Sequence, residues 1–475
     1  MLTLLLLVPI IGSIVIFILS NDDRIKQVGL IVSIVNFIIS LIIWLNFDYN
    51  IGTPQYLLGT NLGIDGISLI FVLLTTITIP ITILASWSNI KEKVKFFIIS
   101  LLILETVLIG VFVVLDILIF YICFESSLIP LFFFIGIYGS GMKETKIHAS
   151  YMLFLYTLVG SLCMLLAIIT LYSLTGTTHF LLYNFYIIDP YYQKLLWLAF
   201  FFALAIKTPL IPFHLWLVFA HTEAPLAGSI ILAGIQLKLA IYGFLKINIG
   251  LLPEASEYFT PLIYTLSIIS IIYSSLTTLR QIDIKTIIAY SSIGHISIAL
   301  LGIFSNNISG ISGGIFLSIA HGITSPALFI LVTILYERTG TRILNYYRGI
   351  SIYMPLFSIY FFIFTLANMG TPLTANFIGE ILSFIGSFKN NPILTIFASL
   401  SIILSAAYSI WLYNRICYGQ YSLYLKPIQD INRREYYLLL SLLILLFIIG
   451  IFPNILLDVL HLSVSSYIYN SPLYI

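Results

Sequence analysis

Residues 1–20 read MLTLLLLVPIIGSIVIFILS, and this stretch contains no charged side chain. About twenty apolar residues in a helix match the thickness of the hydrocarbon core of a bilayer. A transmembrane β-barrel would need strands of about ten residues with alternating apolar and polar side chains, and the stretch shows no such alternation. Because it lacks a basic beginning and its apolar run is longer than that of a typical signal peptide, we interpret it as a first transmembrane helix.

The same character extends along the whole chain. Of 475 residues, 60% are hydrophobic and 8% are charged, and the mean hydropathy is +1.09; a soluble domain has about 25% charged residues. The sequence therefore predicts one polytopic, all-α integral membrane domain over residues 1–475, with about fourteen transmembrane helices. The apolar stretches lie near residues 2–19, 28–47, 66–88, 96–115, 117–137, 149–173, 195–218, 226–249, 261–278, 286–304, 311–335, 352–385, 392–414 and 437–460.

Loop charges predict the orientation of these helices. Basic residues collect in loops on the cytoplasmic or matrix side of a membrane. Alternate loops on one side carry only Lys194, Lys246 and Lys389, so we expect both termini on that side, the periplasm or intermembrane space. The loops on the other side carry fifteen basic residues: Arg24, Lys26, Lys91, Lys93, Lys95, Lys143, Lys146, Arg280, Lys285, Arg338, Arg342, Arg348, Lys426, Arg433 and Arg434.

Several classes of function find no support in the sequence. Cys123, Cys163 and Cys417 are far apart in apolar surroundings, which argues against a disulfide framework and against a metal or iron–sulfur site. The net charge is +2, and no basic cluster with interleaved aromatic residues lies outside the apolar stretches, so we expect no nucleic-acid partner. No Gly-rich dinucleotide-binding turn occurs either. We expect no metal and no cofactor in this chain.

Six charged residues remain inside or at the end of apolar stretches, namely Glu105, Glu125, Lys207, Lys238, Glu380 and Arg415. Arg415 lies near a helix end, where a long basic side chain can reach the membrane interface. The functional prediction concerns Glu125, Lys207, Lys238 and Glu380. A charge at the centre of a bilayer costs about 2.5–3.5 kcal/mol on insertion scales, so such residues normally face the protein interior and have a function. The alternative is that they form fixed ion pairs that only hold helices together. We predict that Glu125 and Lys207 form a switchable pair and that Lys238 holds the next proton.

Prolines interrupt two of the apolar stretches. The tripeptide Thr208-Pro209-Leu210 directly follows Lys207, and Thr371-Pro372-Leu373 lies in the stretch that carries Glu380. Proline removes a backbone hydrogen bond from a helix. Related breaks in two halves of a chain are typical of an inverted-repeat transporter, with its ion path at the breaks.

Histidines supply further candidates for proton transfer, because imidazole titrates near neutral pH. His295 and His321 lie in the middle of predicted helices and are either proton relays or satisfied buried polar groups. For His214 and His221, at the end of the seventh helix, we favour a structural role. No His-x3-His pair or other metal-ligand spacing occurs.

Five motifs carry a family resemblance. They are FYICFESSLIP at 120–130, KTPLIPFHLWLVFAHTEAP at 207–225, LKL at 237–239, AYSSIGH at 289–295 and NFIGE at 376–380. Together they resemble subunit 4 of NADH:ubiquinone oxidoreductase, respiratory complex I, a mitochondrially encoded family of antiporter-like membrane subunits. The resemblance covers roughly residues 60–460. Glu380 is the discriminating position, because related antiporter-like subunits generally have Lys there.

The resemblance implies fourteen helices with two inverted five-helix repeats and broken helices 7 and 12. Residues 1–95 would form helices 1–3, residues 96–249 the first repeat (helices 4–8), residues 260–419 the second (helices 9–13) and residues 436–475 helix 14. It also implies a hydrated row of charges in the middle of the membrane. Its members would be the translocating residues Glu125, Lys207, Lys238 and Glu380, with His295, His321 and Glu105 as relays.

The function implied is proton translocation in the membrane arm of complex I. NADH oxidation and ubiquinone reduction would occur in other subunits, which would carry FMN and iron–sulfur clusters. The expected partners are other membrane-arm subunits, the lipid bilayer, protons and water. The expected location is the mitochondrial inner membrane, with a bacterial plasma membrane as the alternative. Two other functions stay open, a subunit of a multi-subunit cation/proton antiporter and a purely structural subunit of the membrane arm.

Overall fold

Long apolar stretches fold as helices because a helix satisfies its own backbone hydrogen bonds where no water is present. The computed structural model describes residues 1–58, 61–186 and 188–469. This part of the chain consists almost entirely of helices, and the predicted all-α membrane class is confirmed. A small antiparallel hairpin of β1 (Gln55–Leu58) and β2 (Leu62–Ile64) connects the second and third predicted spans.

The helices follow the predicted apolar stretches along the chain. They are α1 (Leu2–Ile18), α2 (Asp22–Leu45), α3 (Gly66–Ala85), α4 (Val94–Val113), α5 (Ile117–Ser126), α6 (Leu128–Tyr138), α7 (Lys143–Thr175), α8 (Pro190–Lys207), α9 (Leu215–Glu223), α10 (Leu226–Ile231), α11 (Leu237–Gly243), α12 (Pro253–Thr278), α13 (Ile284–Ile303), α14 (Ile308–Thr339), α15 (Pro355–Asn368), α16 (Ala375–Asn390), α17 (Pro392–Cys417), α18 (Arg433–Ile451) and α19 (Asn454–Tyr469). Short 3₁₀ turns span Leu182–Phe185, Leu344–Tyr346 and Ile350–Ile352.

Eleven of the described helical segments are long and apolar enough to cross a membrane, and three shorter apolar helices accompany them. The count of about fourteen spans and the division into two five-helix repeats stay predictions. The most apolar parts of the segments Leu226–Ile249 and Ile308–Thr339 are completely buried, so they form the centre of the bundle. In contrast, Asp22–Leu45 is mostly exposed, with an apolar surface suited to lipid.

Both predicted broken helices are confirmed. The seventh span ends at Lys207 and resumes at Leu215, and the twelfth ends at Asn368 and resumes at Ala375. Side chains satisfy backbone groups freed by the first break: Trp216 Nε1 donates to the Ile206 carbonyl at 2.8 Å. The Ser270 hydroxyl accepts from the Ile211 backbone N–H at 3.0 Å. Such compensation lets irregular backbone persist inside a membrane protein.

Further irregularities lie in the fifth, eighth and fourteenth spans. The fifth divides into α5 and α6 at Ser127, and the fourteenth divides into α18 and α19 at 452–453. In the eighth span, π-helical segments at Leu232–Gln236 and Phe244–Ile249 flank α11. π-Helical turns are rare and occur frequently at functional sites.

Small residues bring α14 and α16 into close backbone contact. A Cβ atom added to Gly386 would lie 2.2 Å from the Gly310 Cα. One added to Gly379 would lie 2.6 Å from the backbone of Leu317. Glycine is therefore required at both positions for α16 to pack against α14 at this distance.

Two of the lysines assigned to loops are buried in the bundle instead. Lys285 is 2% exposed in the first turn of α13, and Lys246 is 9% exposed in the second π-helical segment. Neither side chain lies in an exposed loop, because Lys246 pairs with Asp65 and Lys285 donates to the Ala224 carbonyl. We call the end of the bundle that carries the other basic loops the basic face, and the other end the opposite face.

Candidate functional site

A row of titratable side chains crosses the centre of the bundle and begins at Lys238. This lysine has no exposed surface and lies on α11, directly after the first π-helical segment. Its Nζ atom lies 3.0 Å from Nδ1 of His321 on α14. It also donates to the Ala233 carbonyl at 2.5 Å. That carbonyl belongs to the π-helical segment, so the irregular backbone helps to hold the ammonium.

The row continues from His321 to His295 and Glu380. The His321 and His295 rings have centroids 5.7 Å apart. His295 Nδ1 lies 3.0 Å from Oε1 of Glu380 on α16. This is ion-pair distance, although the N–H direction does not meet hydrogen-bond geometry. The structure thus brings together four of the predicted site residues from four different helical segments.

Local backbone features place the two ends of this row. Gly234 in the π-helical segment lies against Pro326 of α14, since an added Cβ would be 3.4 Å from the proline ring. At the other end, Gly370 has a φ of +72° in the break of the twelfth span. A Cβ added there would lie 2.6 Å from Oε2 of Glu380. The carboxylate therefore occupies the space left at the helix break, although Glu380 follows the break by several residues.

Glu125 and Lys207 are neighbours in this structure but do not form a closed ion pair. The two side chains interact electrostatically. Among the described residues, however, neither Oε1 of Glu125 nor Nζ of Lys207 has a hydrogen-bond partner. Instead the Lys207 ammonium lies 4.8 Å from the centroid of the Phe124 ring. The predicted direct contact is absent here, and the aromatic ring takes the place of the carboxylate beside the ammonium.

Glu105 lies apart from the row. It has no exposed surface, and its Oε1 accepts a hydrogen bond from Nδ2 of Asn36 on α2 at 2.7 Å. Within the described ranges, no titratable side chain interacts electrostatically with the Glu105 carboxyl group. The structure therefore does not connect Glu105 with the other predicted relays, and its relay role stays a prediction.

His221 is a further candidate for proton transfer, although the sequence favoured a structural role for it. It has no exposed surface, and its ring stacks on Phe329 with centroids 4.7 Å apart. In the part of the chain that the structure describes, neither ring nitrogen has a hydrogen-bond partner. The ring interacts electrostatically with Lys238, Lys285 and His321. The HTEAP motif contains this residue, but a motif does not reveal contacts with other helices.

A cluster of charges lies next to His221 toward the basic face. Arg342 approaches Oε1 of Glu223 at 3.7 Å and Oδ2 of Asp283 at 3.5 Å. Buried Lys285 donates to the Ala224 carbonyl at 2.9 Å. His221 interacts electrostatically with both Lys285 and Lys238, so it is close to both this cluster and the row.

The remaining predictions about the site concern aromatic packing and metals. The His214 ring packs against Tyr273 and Tyr290 at centroid distances of 5.7 and 6.0 Å, as its structural interpretation implies. Across residues 1–58, 61–186 and 188–469, no group of three or more His, Cys, Asp or Glu side chains could hold a metal ion.

Comparisons with known proteins agree with this architecture. The family described as NADH:quinone oxidoreductase/Mrp antiporter, TM, matches residues 114–405. The family described as NADH-ubiquinone oxidoreductase chain 4, amino terminus, matches residues 1–111. NADH-ubiquinone oxidoreductase chain 4 of Mycosarcoma maydis is 52% identical over 99% of this chain and 100% of that protein. The Arabidopsis thaliana protein of the same name is 47% identical over 97% and 96%.

Solved structures extend the comparison to three dimensions. A chain of respiratory complex I from Thermus thermophilus with bound NADH superposes with a TM-score of 0.88 at 29% identity, covering 99% of both chains. A chain of the Mrp complex from Dietzia sp. DQ12-45-1b gives a TM-score of 0.87 at 17% identity, covering 98% and 97%, and shares the fold. From its sequence relatives over nearly their full length, this chain belongs to the NADH-ubiquinone oxidoreductase chain 4 family.

Proposed function

We propose that this chain conducts protons across the mitochondrial inner membrane as an antiporter-like subunit in the membrane arm of NADH:ubiquinone oxidoreductase. The observation that carries the proposal is the buried row of Lys238, His321, His295 and Glu380. Each of these residue types can gain and lose a proton, and each neighbours the next. A row whose members serve only packing would not need titratable side chains at every position.

Proton transfer along this row follows from its geometry. The Lys238 ammonium gives a proton to Nδ1 of His321, 3.0 Å away. A neutral imidazole accepts at one nitrogen and donates at the other, so His321 releases a proton from Nε2 toward His295. His295 then protonates the Glu380 carboxylate, which lies 3.0 Å from its Nδ1. Each transfer leaves the previous group ready to accept another proton.

Charge on Glu125 and Lys207 would control entry to this row. Two unit charges about 4 Å apart interact by roughly 4 kcal/mol at an effective dielectric constant of about 20. Closing or opening this pair therefore changes how strongly Lys207 retains its proton. The open arrangement, with the ammonium beside Phe124, is the state in which Lys207 gives up a proton more readily.

The chemistry of NADH and ubiquinone would take place in other subunits, which would carry the FMN and the iron–sulfur clusters. Redox energy would reach this chain through contacts with neighbouring membrane-arm subunits. Both termini would lie on the intermembrane-space side, because the basic loops gather at the other end of the bundle. The apolar surface of the outer helices would contact lipid.

The direct experiment replaces Glu125 with Gln and Lys207 with Met, one at a time, in the assembled complex. We expect NADH oxidation to continue with fewer protons pumped per NADH, because the gate loses one of its charges. Arg415→Gln is the matched control, since Arg415 is an exposed charge near the end of α17. Unchanged pumping in both variants would show that Glu125 and Lys207 do not control proton entry. A complex that fails to assemble in both, with normal coupling in any residual complex, would favour a structural subunit.

A cation/proton antiporter is the second candidate, because the family that matches residues 114–405 includes the Mrp antiporters. The relatives at 45–52% identity favour the oxidoreductase. Isolation of the chain separates the two. Co-purification with flavin and iron–sulfur clusters supports the oxidoreductase, whereas a smaller redox-free assembly supports the antiporter.

A further inference from the structure

A second buried ion pair lies on the opposite face, away from the row. Asp65 and Lys246 form a close contact between Oδ2 and Nζ. Their residues are 6% and 9% exposed, respectively. Asp65 precedes α3 as its N-cap and accepts from the Ser68 backbone N–H at 2.8 Å. Lys246 is eight residues after Lys238 in the same buried span, which corresponds to about 12 Å along a helix axis.

A cavity of about 530 Å³ lies directly beside this pair. Its walls include Asp65, Lys246 and Tyr467, together with Leu181 and Tyr186. Leu181 and Tyr186 are 39% and 48% exposed, so the cavity reaches the surface. The ion pair therefore separates the interior of the bundle from a space large enough for many water molecules.

Between Lys238 and this pair lies a layer of aromatic side chains. Tyr242 packs against Phe112 and Phe71 with ring centroids 5.2 and 6.1 Å away. Its hydroxyl donates to the Phe112 carbonyl at 3.0 Å and also interacts with Lys246 and Asp65. Tyr242 thus provides a hydroxyl group within an otherwise apolar layer.

Stability alone does not explain charged residues here. Replacing a buried ion pair by apolar residues of similar volume often leaves stability unchanged or raises it. A buried pair is therefore weak evidence for a stabilising role. The N-terminus of α3 needs only a side-chain acceptor, which Asn supplies as well as Asp. Unlike the amide of Asn, the carboxylate of Asp can also bind and release a proton.

We propose that Asp65 is the group through which protons leave this chain on the opposite face, and that Lys246 holds it in the charged state until the pair opens. This inference rests on the proposed function, because it requires protons to reach Lys238. When Lys246 moves away, the Asp65 carboxylate binds a proton that has passed from the Lys238 side through the Tyr242 hydroxyl. The hydroxyl takes up one proton as it gives up another. Return of the Lys246 ammonium expels the proton from Asp65 into water in the cavity.

The test compares four variants in the assembled complex by protons pumped per NADH oxidised. Asp65→Asn, and the double variant Asp65→Asn with Lys246→Met, are expected to lose as much pumping as Lys238→Met does. The double variant leaves no unpaired charge, so a merely structural pair would be replaced without loss. Lys246→Arg keeps a cation beside Asp65 and is expected to retain pumping. Full pumping by the double variant, alongside the loss in Lys238→Met, would overturn the proposal.

Two additional variants keep the test decisive if the neutral pair does not assemble. Tyr242→Phe keeps the ring and the ion pair and removes only the hydroxyl, so we expect lower pumping with normal assembly; unchanged pumping would exclude this route.

The double variant Arg338→Gln with Glu435→Gln removes another largely buried pair, 2.7 Å apart, on the basic face. It should assemble and pump normally. Normal pumping by Lys238→Met would contradict the proposed function itself. That result differs from normal pumping by the Asp65 variants alone, which would contradict only the exit route.

Discussion

Lys238 illustrates how one residue can be costly for the fold and useful for function. Its ammonium is buried, and its contacts are the His321 ring and the Ala233 carbonyl. Among the residues that the structure describes, no carboxylate forms an ion pair with it. A buried lysine without a counter-ion is stabilised less in its charged form than one in water. In the proposed function this ammonium is the proton donor to the His321 imidazole.

Replacing Lys238 with Met should therefore stop proton transfer through this chain while keeping the volume of the side chain. Positioned proton-transfer groups contribute about 10²–10⁴-fold to a rate, so the share of pumping that depends on this chain should disappear. The measurement is the number of protons pumped per NADH by the assembled complex in sealed vesicles. Lys194→Met is the control, because Lys194 lies over the exposed ring of Tyr258 outside the row.

His221 allows packing and proton transfer to be separated. His221→Phe keeps a flat ring that can stack on Phe329, but it removes both nitrogens. If the ring only fills space, the variant should behave like the parent protein. We expect instead a loss of pumping that approaches that of Lys238→Met, because His221 interacts with both Lys285 near the basic face and Lys238 in the row. His148→Phe serves as the control at an exposed site outside the row.

At the scale of elements, interrupted helices and close helix contacts hold the site together. The break between α15 and α16 gives Glu380 its place against Gly370. The contact between α14 and α16 sets how far His321 lies from that carboxylate. Both features depend on residues without large side chains, since a Cβ at Gly386 or Gly379 would overlap the backbone of α14.

Gly386→Ala should consequently destabilise the contact of α16 with α14. Overpacking a close contact costs typically about 1–3 kcal/mol, and here the opposing atom is backbone that cannot rotate away. The expected results are a lower thermal stability of the assembled complex and reduced pumping. Gly136→Ala in α6 is the matched control, because the nearest atom would be 3.7 Å from the new Cβ. That substitution should be neutral or gain up to about 1 kcal/mol in helix propensity.

At the scale of the whole molecule, the distribution of basic residues predicts which face meets which compartment. Lys26 donates to the Trp87 carbonyl at 2.8 Å, and Arg434 donates to Ser88 at 2.7 Å. Loops distant in sequence therefore gather at one end of the bundle. The positive-inside rule then predicts that this basic face lies on the matrix side of the membrane.

Cysteine labelling tests this orientation. Lys91→Cys and Lys143→Cys should react with a membrane-impermeant maleimide only when the matrix side of the vesicles is accessible. Tyr191→Cys should react only from the other side. The parent chain provides the background, since its cysteines are buried or half-buried. Reversed labelling would show that the orientation is wrong without affecting the fold.

Much of the candidate site could be predicted from individual charged residues within the apolar stretches of the sequence. Glu125, Lys207, Lys238 and Glu380 are conspicuous because a charge in an apolar run is costly. The position of His221 beside Lys238 and the pairing of Lys246 with Asp65 could not be predicted, because the partners come from separate helices. The burial of Lys246 and Lys285 could not be predicted for the same reason, because their partners Asp65 and Ala224 belong to other segments.

The amino-acid sequence was sufficient to predict the membrane class, the approximate spans, the two broken helices and the titratable residues inside the apolar stretches. These properties follow from the transfer of a continuous segment into lipid and from the missing N–H of proline, both of which are local. Packing between helices determined which of those residues meet. Lys238 and His321 are separated by 83 positions in the chain, and they meet near the point where Gly234 of a π-helical segment packs against Pro326 of α14. Such packing depends on side-chain shape across the bundle, which no single segment of sequence contains.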